Sequence, residues 1–397
     1  MKQQVTVIGG GVIGLTTAYA LVREGFAVDL IEARDSLASA TSFANGGQLS
    51  YRYVSPLADA GVPWQALGWM LQGESPLRLR LRLDPAQWRW LLAFMLACRS
   101  SVNRRNSAQL LALALESQAV LARWREADGL ADFAWRRNGK LVAFRSEQAF
   151  AHGRQRLLDP FSQRVLDATE LRALEPALAE APFVGGVLTP DEEVADCHRF
   201  CERLAERLRA CGQCRFLLGR PVTHLHKHQD QVVALQLGDA RVDVQRLVLC
   251  AGHRSAGLAL PGVKLPVYPL KGYSLTAPIS TAHRAPEVSI TDYERKIVYA
   301  RLGRQLRVAA MVDIVGFDET VDARRLASMR RLARDTLPDA ADYQQAVEWA
   351  GMRPATPTGV PIIGATAYRN LWLNLGHGAL GFTLACGSAE RLARLLH

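Results

Sequence analysis

The sequence predicts an α/β chain of two domains, α+β in overall content: a Rossmann-like dinucleotide-binding unit and a discontinuous second domain on an antiparallel sheet. Three observations predict it. Val5-Thr-Val-Ile-Gly-Gly-Gly-Val-Ile-Gly-Leu sets Gly9, Gly11 and Gly14 in G-x-G-x-x-G spacing between an apolar strand and a helical pattern, and Glu32 closes the next strand, Val28-Asp-Leu-Ile. Residues 264–315 alternate apolar and polar, as antiparallel strands do. Asn370-Leu-Trp-Leu-Asn-Leu, a glycine loop and a helical pattern from Leu380 to Leu396 then return a strand and a helix to the first unit. The expected boundaries are 1–50, 151–260 and 350–397 for the dinucleotide-binding domain, and 51–150 and 261–349 for the second.

Each element follows from local chemistry. Gly9 allows a tight turn, Gly11 leaves room for a pyrophosphate, and Gly14 lets helix and strand pack closely, with Val12 and Ile13 in the first helical turn. The helix N-terminus favours phosphate charge. Glu32, followed by Ala33 and Arg34, is placed to accept both hydrogen bonds of a ribose diol and to disfavour a 2′-phosphate. NAD and FAD fit this unit equally. Ser36–Gln48 is a loop rich in small donors. Residues 51–150 carry abundant Trp and Arg, a helical pattern from Asn106 to Ala127 and the strand-like Gly139-Lys-Leu-Val-Ala-Phe; they read mostly as inserted material. Asp196 is placed to cap a helix through Arg209, ended by Gly212. A hairpin follows around Asp230, then a buried strand, Arg246-Leu-Val-Leu-Cys-Ala-Gly. A further helix is expected over Asp322–Thr336.

Composition narrows the function. A chain of 397 residues, about half hydrophobic, can bury two cores. Its net charge of +10 includes only six Lys, and no basic block is interleaved with aromatics, which argues against nucleic acid as a partner. The first strand begins within four residues of Met1, leaving no room for a signal peptide, so a cytoplasmic location is expected. No run reaches the ~18 apolar residues of a spanning helix. Seven irregularly spread Cys suit a reducing compartment.

The last third is the most specific. Gly351-Met-Arg-Pro-Ala-Thr-Pro-Thr-Gly-Val-Pro-Ile-Ile-Gly and Gly376-His-Gly-Ala-Leu-Gly-Phe-Thr-Leu-Ala-Cys-Gly-Ser resemble the closing signature of the FAD-dependent D-amino-acid oxidase (DAO) superfamily. Val267-Tyr-Pro-Leu-Lys-Gly-Tyr-Ser-Leu-Thr and Thr41-Ser-Phe-Ala-Asn-Gly-Gly-Gln are similar to its bacterial dehydrogenases acting on D-amino acids. The resemblance runs nearly end to end and is loosest over 51–100. It implies an FAD flavoprotein, an oxidoreductase of amino acid catabolism that deaminates D-amino acids to 2-oxo acids and ammonia by hydride transfer to flavin N5. A quinone or other respiratory-chain acceptor would take the electrons.

The resemblance also implies site residues. Gly376, Gly378, Ala379, Leu380, Gly381 and Thr383 would line the pyrimidine end of the flavin, where a glycine loop entering a helix supplies donors and a favourable dipole. Thr41, Ser42, Asn45, Gly46, Gly47 and Gln48 would meet the diphosphate and ring, Val222 the adenine, and Ala251 and Gly252 the flank of the cofactor. Arg353 would clamp the substrate carboxylate, since guanidinium offers a planar fork. Tyr299, Tyr53 and Tyr273 are rival second donors, and His377 is a candidate acid/base. The alternative functions are a dehydrogenase or oxidase of a cyclic or secondary amine such as D-hydroxyproline, or of glycine or sarcosine, and a flavin-binding relay subunit of a hetero-oligomer.

Three other patterns have plainer readings. Cys197, Cys201, Cys211 and Cys214 include a C-x-x-C, but the first pair belongs to a helix and the second to its end, so no metal is assigned. His224, His226 and His228 suit an exposed hairpin. Leu77-Arg-Leu-Arg-Leu-Arg-Leu and Trp88-Arg-Trp-Leu-Leu-Ala-Phe-Met-Leu, with Trp64, Trp69, Met70 and Leu71 upstream, suit either an edge strand and core helix or peripheral contact with the cytoplasmic face of the inner membrane.

Overall fold

In the computed structural model, which describes residues 3–59, 61–62, 75–157 and 159–396, the chain forms two large sheets. The first has six strands in the order Cys214–Leu217, Ala27–Ile31, Gln4–Ile8, Leu247–Leu249, Leu371–Leu375 and Ile362–Ala365. All pairs are parallel except the last. The apolar strands Val5-Thr-Val-Ile and Val28-Asp-Leu-Ile are buried because helices cover the sheet. One covering layer joins the first helix (Val12–Arg23), the Cys197–Ala210 helix and the final helix (Gly381–Leu395) in one apolar cluster.

The second sheet has nine strands. Its path runs Val347–Ala355, Tyr268–Pro278, Gln305–Ile314, Ile297–Leu302, Ser289–Asp292, Lys140–Phe144, Gly185–Thr189 and Arg164–Asp167, with Leu77–Leu79 pairing parallel to the end of Gln305–Ile314. One face is covered by the Ala323–Thr336 helix, whose Leu326 and Met329 pack on Leu141, Leu275, Tyr299 and Val308. The other face turns toward the loop of residues 41–48. Two three-stranded sheets complete the described fold: Val222–His228 with Gln231–Leu237 and Ala240–Asp243, and Gln48–Leu49 with Glu193–Val194 and Arg136–Arg137.

The chain crosses between these layers differently from the boundaries expected above. Strands Arg164–Asp167 and Gly185–Thr189, read with the dinucleotide domain, pair in the nine-stranded sheet. The helix Ser100–Asp128, read with the second domain, buries Leu110, Leu113, Val120, Leu121 and Trp124 in the core that holds the final helix. Residues 350–355 finish a strand of the antiparallel sheet. An amphipathic segment declares that it has a buried face but not which layer covers it, because the partner is remote in sequence. Helix caps are local and follow the expected chemistry: Asp196 accepts from His198 N and Arg199 N, and Asp322 from Arg324 N and Arg325 N. Trp64, Trp69, Met70 and Leu71 lie outside the described residues. Among the described residues no helix is long and apolar enough to cross a membrane.

Candidate active site

Two helix N-termini define the site. Five helices are capped by an Asp or Ser side chain, from Asp84, Ser146, Asp167, Asp196 and Asp322. The two that follow glycine loops, at Gly11 and at Leu380, have no side-chain cap of their own. Their first-turn donors and positive dipole ends are what a ligand with a diphosphate and a polar ring can use. Gly14 packs so tightly that a Cβ there would lie 1.7 Å from Gly9 O, and Gly9 takes φ +113°. At Gly11, by contrast, a Cβ would meet only Ser42 Oγ, at 3.4 Å, so this position borders open space.

Around the first turn, Glu32 accepts from Gly10 N at 2.6 Å and Arg34 N at 2.9 Å, which fixes its carboxylate beside the glycine loop. Ser42 Oγ accepts from Val12 N at 2.9 Å, so the 41–48 loop reaches back over the first helix. Arg34 donates to Ser39 O at 3.0 Å. Val222 and Ala251 pack with Ile8, Ile31 and Leu249 at the carboxyl ends of the parallel strands. That is where open α/β sheets bind ligands. Gly252 begins a 3-10 turn there.

The 41–48 loop is pinned to the antiparallel sheet at several points. Thr41 Oγ1 donates to Met352 O at 2.7 Å, Ser274 Oγ to Ala44 O at 2.7 Å, Arg307 Nη1 to Asn45 O at 2.6 Å, and Gln48 Nε2 to Ile290 O at 3.1 Å. Asn45 Oδ1 in turn accepts from Gly47 N at 3.1 Å. Gly46 lies against Val298 and Ala309, close enough that a Cβ would be 3.3 Å from a Val298 methyl. Arg307 lies in no motif, and Ser274 belongs to the Val267–Thr276 block without a signal of its own; the folded register brings both under this loop.

Register then sorts the candidates. Trp349, Ser274, Ala309, Val298, Thr291 and Val142 are paired in one row across the sheet and so share its loop-facing side. Arg353, four residues beyond Trp349, shares that side. Its guanidinium lies over Gly272, where a Cβ would come within 2.3 Å of it, and the Trp349 ring lies over Gly351, the residue paired with Gly272. Arg353 Nη1 donates to Met311 O at 2.8 Å. Among the described residues it has no ion-pair partner: the nearby Asp313 is taken by Arg78, Arg325 and the Tyr273 hydroxyl. Burial lowers the Arg353 guanidinium to about 10, so it stays charged at neutral pH. An unpaired, half-buried cation is costly unless an anion completes it.

Tyr299 and Tyr273 are not brought to Arg353. Both sit on rows of opposite parity, facing the Ala323–Thr336 helix, with Tyr273 Oη on Asp313 at 2.8 Å and Tyr299 in the apolar cluster under that helix. Odd and even positions of a strand point to opposite faces, and spacing in sequence does not reveal which parity faces the site. Tyr53 is on the loop-facing side, its ring 4.4 Å from Lys140 Nζ, but Lys140 lies five strands from the strand of Arg353.

The second glycine loop, Gly376–Thr383, follows the Leu371–Leu375 strand. Gly376 and Gly378 take φ of +84° and +56°, and Leu380 N donates to His377 O at 3.0 Å, closing a 3-10 turn that runs into the final helix. A bridge between Ala355 and His377 puts this loop two residues from Arg353. His377 is buried, neither ring nitrogen has a protein partner, and burial pushes its imidazole down to about 3. Thr383 Oγ1 accepts from Ser50 N at 3.3 Å, tying the helix entry to the end of the 41–50 segment.

The cysteine pattern dissolves: Cys197 and Cys201 are buried in the apolar core, Cys211 is exposed at the far end of their helix, and no group of three or more metal-ligating side chains occurs among the described residues. His226 pairs with Gln236 on the hairpin.

Known proteins are consistent with this architecture. Residues 4–395 match the model of the DAO family, described as FAD dependent oxidoreductase. The chain is 65% identical over 393 residues to D-amino acid dehydrogenase 2 of Pseudomonas aeruginosa, covering 99% of this chain and 94% of that one. It is 44% identical to D-amino acid dehydrogenase 2 of Ralstonia nicotianae, covering 99% and 96%. Among solved structures, glycine oxidase from Bacillus cereus superposes with a TM-score of 0.74 at 21% identity, covering 100% of this chain and 95% of that one. L-proline dehydrogenase from P. horikoshii superposes with a TM-score of 0.76 at 15% identity, covering 100% and 93%.

Proposed function

Because the chain belongs to the DAO family of FAD-dependent oxidoreductases, we propose that it oxidatively deaminates D-amino acids and passes the electrons to a quinone or another non-oxygen acceptor. One observation carries the substrate reading: Arg353 is a charged guanidinium without an anionic partner among the described residues, two residues from a bridge to the uncapped Gly376–Thr383 helix entry. FAD, when bound, would supply the two-electron acceptor for oxidation of the substrate amine. Gly9, Gly11, Gly14, Ser42 and the first helix would hold the diphosphate, Glu32 the ribose, Val222 the adenine, and the Gly376–Thr383 entry the pyrimidine end. Arg353 forks the substrate carboxylate, and the glycine at 272 leaves the guanidinium its place. Trp349 walls the same face and excludes water. His377 is neutral at working pH and has no charged donor role; orientation of the substrate dominates the rate. The names of the relatives support D-amino acids as the substrate class.

Anaerobic addition of D-amino acids is expected to bleach the flavin absorbance, and a dye acceptor is expected to sustain turnover under argon as well as under air. Faster bleaching by sarcosine or a hydroxyproline would move the reading to secondary amines, and by glycine to a glycine oxidoreductase. No bleaching by any amine would remove it.

We further propose peripheral contact with an anionic membrane through the Pro85–Ala97 helix. Trp88, Leu92, Met95 and Leu96, at i, i+4, i+7 and i+8, are 51–62% exposed, and Leu83 just before the helix is fully exposed. Exposed Arg80, Arg82, Arg89 and Arg99 flank this apolar face. Apolar side chains ringed by guanidinium groups match acyl chains under acidic headgroups. Replacing Leu92 and Met95 together by Glu should lower co-sedimentation with phosphatidylserine vesicles at least tenfold and leave dye-linked turnover intact. Equal sedimentation of both proteins would refute the contact.

A further inference from the structure

The sequence has six lysines, and one of them, Lys140, is buried inside the fold on the loop-facing side of the nine-stranded sheet. Its ammonium is held from three directions. Nζ donates to Gln48 Oε1 at 2.9 Å and to Ser50 Oγ at 2.8 Å, and lies 4.4 Å from the centroid of the Tyr53 ring. Gln48 turns its amide nitrogen the other way, to Ile290 O and Tyr299 O, so the lysine also sets the orientation of that side chain. Ser50 N donates to Thr383 Oγ1 in the first turn of the final helix. The positive charge is therefore separated by one residue, Ser50, from the helix entry assigned above to the pyrimidine end of the flavin.

A buried cation needs a counter-charge. Among the described residues no carboxylate lies within ion-pair distance of Nζ, and Glu192 acts on it through space: this fully buried carboxylate accepts from Tyr51 N and from Arg52 N at 2.7 Å, one step along the same segment. Burial lowers Lys140 to about 8 and raises Glu192 to about 6, and each shift is opposed by the other's charge. The pair is oriented, with its positive end on Gln48 and Ser50 and its negative end on the Tyr51 and Arg52 amides. Holding an ammonium in the interior only to order a two-residue strand is expensive, because an apolar side chain would fill the same space without desolvation cost.

We propose that Lys140 is a positioning residue for the cofactor: it orders the Gln48–Ser50 segment and places a positive charge that favours the reduced, more negative cofactor, with the charge of Glu192 opposing it. The proposal rests on the assignment of the Gly376–Thr383 entry to the pyrimidine end. It concerns reduction potential, not substrate contact.

Potentiometric titration of the holoenzyme tests it. Lys140→Met, close in volume and neutral, should retain stoichiometric FAD while its two-electron equilibrium shifts about tenfold toward the oxidised form, ~30 mV lower. Glu192→Gln removes the opposite charge and should move the midpoint upward. Loosened packing moves both variants the same way, so opposite signs separate charge from structural damage. Midpoints unchanged from wild type, or shifts of the same sign in both, would overturn the proposal. If Lys140→Met does not fold, Glu192→Gln decides alone, by a rise or its absence. Failure of the wild-type protein to hold FAD would instead count against the site assignment.

Discussion

Replacing Arg353 by Ala should cut the second-order rate constant for anaerobic flavin reduction by a D-amino acid by roughly a hundredfold, about 3 kcal/mol of lost transition-state binding. The magnitude follows from losing a charge-assisted, two-pronged interaction in a site poor in water. The loss should fall mainly on apparent substrate affinity, with the limiting reduction rate changed less. Arg353→Lys keeps the charge and loses the fork, so an intermediate loss is expected. Stability should change little, because Arg353 makes one hydrogen bond, to Met311 O, and no ion pair among the described residues. Stopped-flow reduction over a substrate series measures both parameters. An apparent affinity equal to wild type in Arg353→Ala would withdraw Arg353 from the carboxylate.

Gly14→Ala should yield a protein that retains little or no FAD. The new methyl would stand 1.7 Å from Gly9 O and 2.9 Å from Gly9 C, and backbone cannot yield as a flexible side chain does. The helix must therefore move off the strand and carry its N-terminal donors out of register, an overpacking cost of roughly 1–3 kcal/mol before any binding is lost. Gly11→Ala is the informative companion. Its methyl meets only Ser42 Oγ, at 3.4 Å, so the apoprotein should melt as wild type does, while FAD affinity falls about tenfold if the diphosphate approaches that backbone. Thermal melting of the apoproteins and equilibrium dialysis against FAD separate the two effects. Full FAD retention by Gly14→Ala would contradict the packing argument, and unchanged affinity in Gly11→Ala would move the diphosphate elsewhere.

Much of the dinucleotide unit was legible because its signals are local. A glycine turn between a strand and a helix, an acid at the end of the next strand, and Asp before a helix each do their work within a few residues of where they stand. The glycine-loop entry at 376–383 is equally local. The second sheet was legible as antiparallel but not as an arrangement: strands 164–167 and 185–189 join it from a stretch that reads as part of the other domain. The tyrosines show the same limit at finer scale. Tyr299 and Tyr273 lie on strands of the antiparallel sheet, yet a shift of one residue in parity points each at the Ala323–Thr336 helix. Lys140 and Ser274 lie in stretches that read only as a strand and as part of a block of family resemblance, and Arg307 in no motif, so nothing local marked them as site residues.

The amino-acid sequence by itself determined the class of fold, the strand-turn-helix of the first glycine turn and the family, since turn geometry, capping and strand periodicity are written in neighbouring residues. Tertiary structure alone decided which side chains share the cavity. Strand pairing and register are set by contacts tens to hundreds of residues apart, and because side chains alternate across a strand, one residue of register moves a group from the site to the opposite core. Thus Arg353 lies over Gly272 with no ion-pair partner among the described residues, Tyr299 is turned away, and Lys140 reaches the loop that the first glycine turn only begins.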